Sequence, residues 1–225
     1  MKTGIFISGT DTGVGKTLVS SLLVSSLHQN GIQTGYFKPI QTGSDKDTDT
    51  VCRLTGISES HFVQPAYEFL APQAPNRAAM LEGKEVQLDY IVNYWNRLDN
   101  RTWVVEGAGG LLVPLNSRQT TRDLIHALNL RMILVASTRL GTINHTLLSV
   151  EAARAGGVSV EGIVLVGHED PGLASVLTEF SGVPVIAQVP FLEVITPSVV
   201  RAVATVQFSN FCAAPLKPRG IISQA

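Results

Sequence analysis

A chain of 225 residues with 44% hydrophobic and 16% charged side chains has a globular balance and enough length to bury a core without staples. A net charge of -1 without any basic run argues against nucleic acid as a main partner, and the apolar runs fall well short of a membrane span. Cys52 and Cys212 stand alone, with no CxxC and no Cys/His pairing at metal-ligand spacing. That fits a reducing compartment, and the N-terminus leaves no room for a secretion signal, so the expected location is the cytoplasm. No linker interrupts the chain, and one domain over residues 1–225 is expected.

The first informative stretch is Gly9-Thr10-Asp11-Thr12-Gly13-Val14-Gly15-Lys16-Thr17. It follows the apolar run Ile5-Phe6-Ile7 and leads into Leu18, Val19, Leu22, Leu23 and Leu27, spaced as one face of a helix. Strand, glycine loop and helix in that order form the setting of a phosphate cradle. Glycines let backbone N–H groups curl toward an anion, and the helix start adds partial positive charge. Lys16 can then reach the outer phosphates and the Thr17 hydroxyl can ligate magnesium. Five residues separate Gly9 from Gly15 where four are usual, which marks a variant P-loop.

The first helix is expected to stop at Asn30-Gly31, and a short strand around Gly35–Phe37 to end in the loop Lys38-Pro39-Ile40-Gln41-Thr42-Gly43. Ligands of open parallel sheets collect at such carboxyl ends, so Lys38 and Thr42 are candidates for holding a substrate. The acidic run Asp45-Lys46-Asp47-Thr48-Asp49 is not an EF-hand, since Thr50 and Gly56 stand where the loop glycine and closing glutamate belong. It can lend one carboxylate to a metal, in the first place Asp49 at the start of a short helix through Val51 to Leu54, although the sequence does not decide between Asp47 and Asp49. Residues 65–77, with three prolines, read as a connection over the surface that could line a cleft. From Leu88, the positions Ile91, Val92, Trp95 and Leu98 describe a helix face.

The second informative stretch is Trp103-Val104-Val105-Glu106-Gly107-Ala108-Gly109-Gly110. An acid ending a buried strand beside a P-loop faces the nucleotide metal, and the glycines allow close backbone approach. Further on, Leu124–Leu128 reads as helix and Met132–Ala136 as a buried strand. Ile143, Leu147 and Val150 mark the face of another helix, and Gly162–Val166 and Val185–Val189 two more strands. Leu140-Gly141-Thr142-Ile143-Asn144-His145 places a helix start after a strand, a natural anion site. The histidines show no trusted metal-ligand spacing, and the tail from about Phe211 reads as irregular. Apolar strands alternating with helices predict an α/β fold: a parallel sheet with helices on both faces, of the P-loop NTPase type.

Taken together, five pieces resemble the dethiobiotin synthase family. They are the five-residue P-loop spacing, Lys38-Pro39 with Thr42-Gly43, Glu106 to Gly110, Leu140 to His145, and Val189-Pro190. The resemblance implies an ATP-dependent cyclo-ligase of biotin biosynthesis that carboxylates 7,8-diaminononanoate with CO2 and closes the ring, using ATP and Mg2+. It implies that Lys16 and Lys38 stabilise the phosphoryl group and the carbamate, and that Thr17, Asp49 and Glu106 gather magnesium. Gly13, Val14, Gly15, Lys16, Thr17, Leu18, Asp49, Glu106, Gly107, Ala108, Gly109, Val166, Gly167, Pro190, Phe191 and Leu192 would hold the nucleotide. Thr12, Thr42, Gly109, Gly110, Gly141, Thr142, Ile143 and Asn144 would meet the substrate. Enzymes of this kind are homodimers, in which the Gly141–Asn144 helix start of one subunit reaches the substrate of the other.

This chain departs from the family at three places. Val166-Gly167 stands where an asparagine often reads the adenine, Gly13 where some relatives have glutamate, and Asn76 where histidine is common. The first departure implies relaxed base choice. Two rivals within the P-loop group are the cobyrinic-acid amidating synthetases, for whose glutaminase domain no residues remain, and a degenerate nucleotide-binding paralogue. A third is a nucleotide switch of the partitioning type, which usually carries an early second lysine where this chain has Thr10, Asp11 and Thr12.

Overall fold

The computed structural model describes residues 2–209 and residue 211, so the expectation of an irregular tail lies, beyond Phe211, outside the described residues. Seven strands form one sheet in the order β4-β2-β6-β1-β7-β8-β9. They are β1 Thr3–Gly9, β2 Thr34–Phe37, β4 Phe62–Val63, β6 Thr102–Gly110, β7 Arg131–Ser137, β8 Val160–Gly167 and β9 Val185–Pro190. Every pairing in it is parallel, which requires crossovers, and the helices supply them. These are α1 Lys16–Gln29, α2 Asp47–Thr55, α3 Pro75–Leu81, α4 Leu88–Arg97, α5 Thr121–Ala127, α6 Thr142–Ala155, α7 Pro171–Ser181 and α8 Pro197–Gln207.

The uninterrupted apolar character of the strands follows from having both faces covered. Ile5 and Ile7 of β1 join Val104, Ile133, Val135 and Val164 beneath α1, α2 and α8. Phe6 points the other way, into a core with Trp103, Val105, Leu134 and Leu165 under α4, α5, α6 and α7. This alternation decides the site, because residues two apart on β6 share a face: Val104 and Glu106 both lie on the α1 side.

Four sequence expectations change. Lys38–Gly43 is not wholly loop, since β3 (Ile40–Thr42) pairs in parallel with β5 (Tyr67–Phe69) as a separate two-stranded sheet. Residues 65–77 therefore hold β5 and the start of α3, whose Pro75 occupies the first turn where its missing N–H costs nothing. Helix α2 begins at Asp47, earlier than Asp49. On α6 the buried residues are Thr142, Thr146, Val150 and Ala153, while Ile143 is exposed, because the sheet at that point accepts small side chains. Helices α7 and α8, each opened by a proline after a side-chain N-cap from Asp170 or Thr196, were not expected. Their short apolar spacing is interrupted by serine, threonine and glycine.

Candidate active site

Strand β1 delivers the chain to the P-loop, where the Thr10 N–H donates to the Val135 carbonyl of β7 (2.9 Å). Gly13 (φ 74°) and Gly15 (φ 102°) take left-handed backbone, and Gly15 is the N-cap of α1. That cap provides no side-chain hydrogen bond and the first turn of α1 holds no acidic residue, which leaves its first N–H groups open to an anion. Lys16 is buried and its Nζ donates to the Asp11 carbonyl (2.8 Å), folding the ammonium back over the loop. Burial brings its pKa down to about 8, with the Lys38 charge adding to that and Glu106, Asp47 and Asp11 opposing it.

The other half of the site gathers where β2 ends beside the middle of β6. β6 runs on to Gly110, so Glu106 lies in mid-strand and not at the strand end expected of it; register places it beside Ile7 of β1 and one residue beyond the Phe37–Val105 pair, where Lys38 meets it. Lys38 Nζ lies 3.2 Å from Glu106 Oε1 and 2.5 Å from Asp47 Oδ2. Burial pushes the Lys38 ammonium down, but Glu106 and Asp47 together outweigh it and hold the pKa above the ordinary lysine value. The Thr17 hydroxyl contacts both carboxylates, Asp47 Oδ1 at 2.9 Å and Glu106 Oε1 at 3.0 Å. Glu106 itself is buried and also accepts from Ser20 Oγ (2.7 Å) and Tyr36 OH (2.9 Å). Burial first, then the Glu106 and Asp47 charges, raise the Tyr36 phenol well above its usual pKa, so it remains a donor.

Of the carboxylates expected beside Thr17 and Glu106, the structure brings in Asp47 and leaves Asp49 outside. Asp49 is exposed, and Asp47 takes the place expected of it. Two residues along a helix turn about 200°, so a helix that starts at Asp47 aims that carboxylate inward and Asp49 outward. Gln41, which sequence reasoning passed over, fixes this start: its Oε1 accepts from the Asp47 N–H (3.1 Å), and its Nε2 donates to the Thr42 (3.0 Å) and Asp45 (2.8 Å) carbonyls. A hydroxyl flanked by two carboxylates is a hard oxygen set suited to magnesium, which completes its shell with water and phosphate oxygens. Among the described residues no three His, Cys, Asp or Glu side chains converge, so no all-protein cage competes with that arrangement.

A cleft of about 530 Å³ unites Thr12, Gly13, Gly15, Lys16, Thr17, Lys38, Thr42, Glu106, Ala108 and Gly109 with Asp47. Its far wall is Pro72–Pro75, from the segment expected to line a cleft, and Val113. A second opening of about 370 Å³, on the other side of the P-loop, is lined by Gly13, Val14, Gly15, Leu18, Val166, Gly167, Pro190, Phe191 and Leu192. Val166 packs on Gly15 so closely that a Cβ there would meet its methyl at 3.1 Å.

Gly107 and Gly110 line neither opening. A Cβ on Gly107 would strike the Phe6 ring at 2.8 Å, so its role is packing, although its carbonyl lies 3.5 Å from Lys38 Nζ. Gly110 pairs with Gly9 beside the loop. Gly141–Asn144 also stand outside the cleft of their own chain. Gly141 (φ 95°) caps α6, and Thr142 Oγ1 is buried without a partner.

Comparison with known proteins agrees with this geometry. A family model described as an AAA domain matches residues 3–199. The ATP-dependent dethiobiotin synthetase BioD of Leptospira interrogans is 40% identical over 182 residues, covering 80% of this chain and 82% of that protein. The Bacillus subtilis enzyme of the same name is 37% identical over 210 residues, covering 88% and 91%. Among solved structures, the MinC:MinD cell division protein complex of Aquifex aeolicus has a TM-score of 0.62 at 12% identity, covering 97% of this chain and 100% of that one. A ParA family ATPase from Chlorobium tepidum has a TM-score of 0.56 at 11% identity, covering 96% and 93%. Those two share the fold, while the sequence relatives share the sequence along most of their length. The chain belongs to the ATP-dependent dethiobiotin synthetase family, a branch of the AAA-domain P-loop proteins.

Proposed function

We propose that this protein closes the cyclic urea of dethiobiotin from 7,8-diaminononanoate, CO2 and ATP. The observation that carries the reading is the convergence of Lys38, Thr17, Asp47 and Glu106 beside the P-loop and Lys16. One amine of the substrate adds to CO2, losing a proton, to give a carbamate. A carbamate oxygen attacks the γ-phosphorus, ADP leaves, and a carbamic-phosphoric anhydride remains. The second amine then attacks the carbamoyl carbon and expels phosphate, closing the ring.

The difficult encounter is between a carbamate anion and an anionic phosphate, so the chain must supply positive charge more than acid-base groups. Lys38, held protonated by its two carboxylates, suits the carbamate and the transferring phosphoryl group. Lys16 suits the outer phosphates, and the N–H groups of Gly13 to Thr17 wrap them. Thr17, Asp47 and Glu106 would hold magnesium, which would supply charge neutralisation on the phosphates. Thr12, Thr42 and Gly109 stand on the substrate side. Val14, Leu18, Val166, Gly167, Pro190, Phe191 and Leu192 form the nucleoside side, and with valine at 166 that position offers the base no side-chain hydrogen bond.

A homodimer fits the same reading. Leu140, Ile143 and Leu148 are exposed around the start of α6, and a second copy seated there would bring Gly141–Asn144 to the partner's substrate. The site residues gather around one seven-stranded sheet and the elements packed on it, which fits one domain. Among the described residues no helix is long and apolar enough to cross a membrane, and a cytoplasmic enzyme of small molecules is the reading we adopt. The test is phosphate release with ATP, magnesium and bicarbonate, with and without the diamine, while dethiobiotin is followed by mass spectrometry and CTP and GTP replace ATP in turn. Diamine-dependent product is expected; phosphate release that ignores the diamine, without cyclic urea, overturns the reading.

A further inference from the structure

The hydrogen bonds to Glu106 divide between its two oxygens. Oε1 accepts from Thr17 Oγ1 and Lys38 Nζ, which face the cleft. Oε2 accepts from Ser20 Oγ (2.7 Å) and Tyr36 OH (2.9 Å), both fully buried and neither lining an opening among the described residues. Their placement follows from the elements. Ser20 lies three residues after Thr17 on α1, hence on the same face. Tyr36 pairs with Val104 on the neighbouring strand, so its ring reaches diagonally to the residue two further along, Glu106.

The proposed reaction gives a phenol at this depth nothing to do directly, and an apolar side chain would satisfy the packing. We propose that Tyr36 and Ser20 are positioning residues that clamp Glu106 Oε2, so that Oε1 alone is presented to magnesium. This rests on Glu106 being a magnesium ligand. The terminal torsion of a glutamate is broad, and two donors fixed on a helix and a strand remove that freedom. Magnesium demands near-octahedral geometry with one oxygen from each ligand, whereas calcium accepts a carboxylate through both oxygens. A carboxylate with one oxygen already occupied therefore suits magnesium and handicaps calcium.

The test uses Tyr36→Phe, Ser20→Ala and the double variant. Mn2+ binding to the protein with a non-hydrolysable ATP analogue is read by electron paramagnetic resonance, with Mg2+ and Ca2+ as competitors, and nucleotide binding is repeated in chelator. Loss of such outer-shell partners weakens metal binding about 10–100-fold, which is the range expected for the double variant, with each single variant lower in it. The Mg2+ to Ca2+ preference should fall with it, and chelator-treated nucleotide binding should stay as in the parent. Unchanged metal affinity and preference in both singles overturns the inference, as does a parallel loss of nucleotide binding in chelator. If Tyr36→Phe fails to fold, Ser20→Ala carries the same test. Glu106→Gln in the same titration separates the two levels: metal binding untouched by it removes Glu106 from the site, while weakening by it alone removes only the clamp.

Discussion

The two sides of the P-loop are built on opposite plans. Toward Glu106, the charged side chains are already engaged: Lys38 bridges two carboxylates, Thr17 touches both, and Ser20, Tyr36 and Gln41 hold the carboxylates and the helix start from behind. Toward Phe191, the opening is walled by Val14, Leu18, Val166 and Leu192, and Phe191 itself is 72% exposed. The difference follows the chemistry. Charge that develops during phosphoryl transfer is stabilised best by groups fixed beforehand in a low-dielectric site, because no reorganisation then accompanies the reaction. A base plane asks for a surface to lie against, and selectivity among bases needs an edge contact, for which the same opening holds Ser137, Thr138, Arg139 and His168.

The largest effect should come from Lys38→Ala. On the proposed mechanism its removal takes away the charge that would meet the carbamate, so turnover should fall by about 10³-fold or more while ATP binding persists. It also leaves Glu106 and Asp47 facing each other, a loss of about 3–5 kcal/mol for a broken buried pair, which magnesium should partly restore in thermal melts. ATP binding lost together with turnover would move Lys38 to the nucleotide or the fold.

Next in size is the contrast between two neighbouring aspartates. Asp47→Asn should raise the half-saturating magnesium concentration by about 10-fold or more, and Asp49→Asn should leave it within about two-fold. Equal effects, or the reverse order, would return the metal to Asp49.

A third expectation concerns Lys16, whose pKa of about 8 lies below the lysine value of 10.5. Between those two values the unfolded chain binds more protons than the folded one, so the stability of the free protein should rise with pH across that window. Polyphosphate binding restores the charge, and at about pH 9 nucleotide binding should take up close to one proton, against almost none at about pH 7. Calorimetry in buffers of different ionisation heat measures this, and Lys16→Gln should abolish it; uptake that persists in that variant belongs to another group.

The smallest effect is expected on the base side. Val166→Asn adds an amide where the wall is apolar and should raise the preference for ATP over CTP only several-fold, about 1 kcal/mol. An unchanged ratio means that the base does not reach residue 166.

Much of this was legible in the chain. Gly13, Gly15, Lys16 and Thr17 carry their meaning locally, since a glycine loop between an apolar strand and a helix can hardly serve otherwise, and Glu106 stood out as an acid in a buried apolar run, although β6 continues past it to Gly110. Asp47 did not, because a helix start shifted by two residues exchanges the inner and outer carboxylates and no local signal marks the shift. Gln41 was equally silent: its role depends on bonding to residues as distant as Asp47 around a turn. Tyr36 looked like one more strand aromatic, and only its diagonal relation to Glu106 gives the hydroxyl a purpose. The small buried face of α6 escaped because Thr142 and Thr146 score as polar while Ile143 scores as apolar, whereas burial there is set by the space above the sheet.

By itself the sequence determined the strand and helix alternation, the phosphate cradle and the family resemblance, all of which rest on periodicity and on motifs read within a few neighbouring residues. Tertiary structure decided which carboxylate joins Glu106, what braces it, and which hydrophobic residues remain outside. Those outcomes depend on register between strands and on the rotational phase of helices, where a displacement of one or two residues turns a side chain from core to solvent.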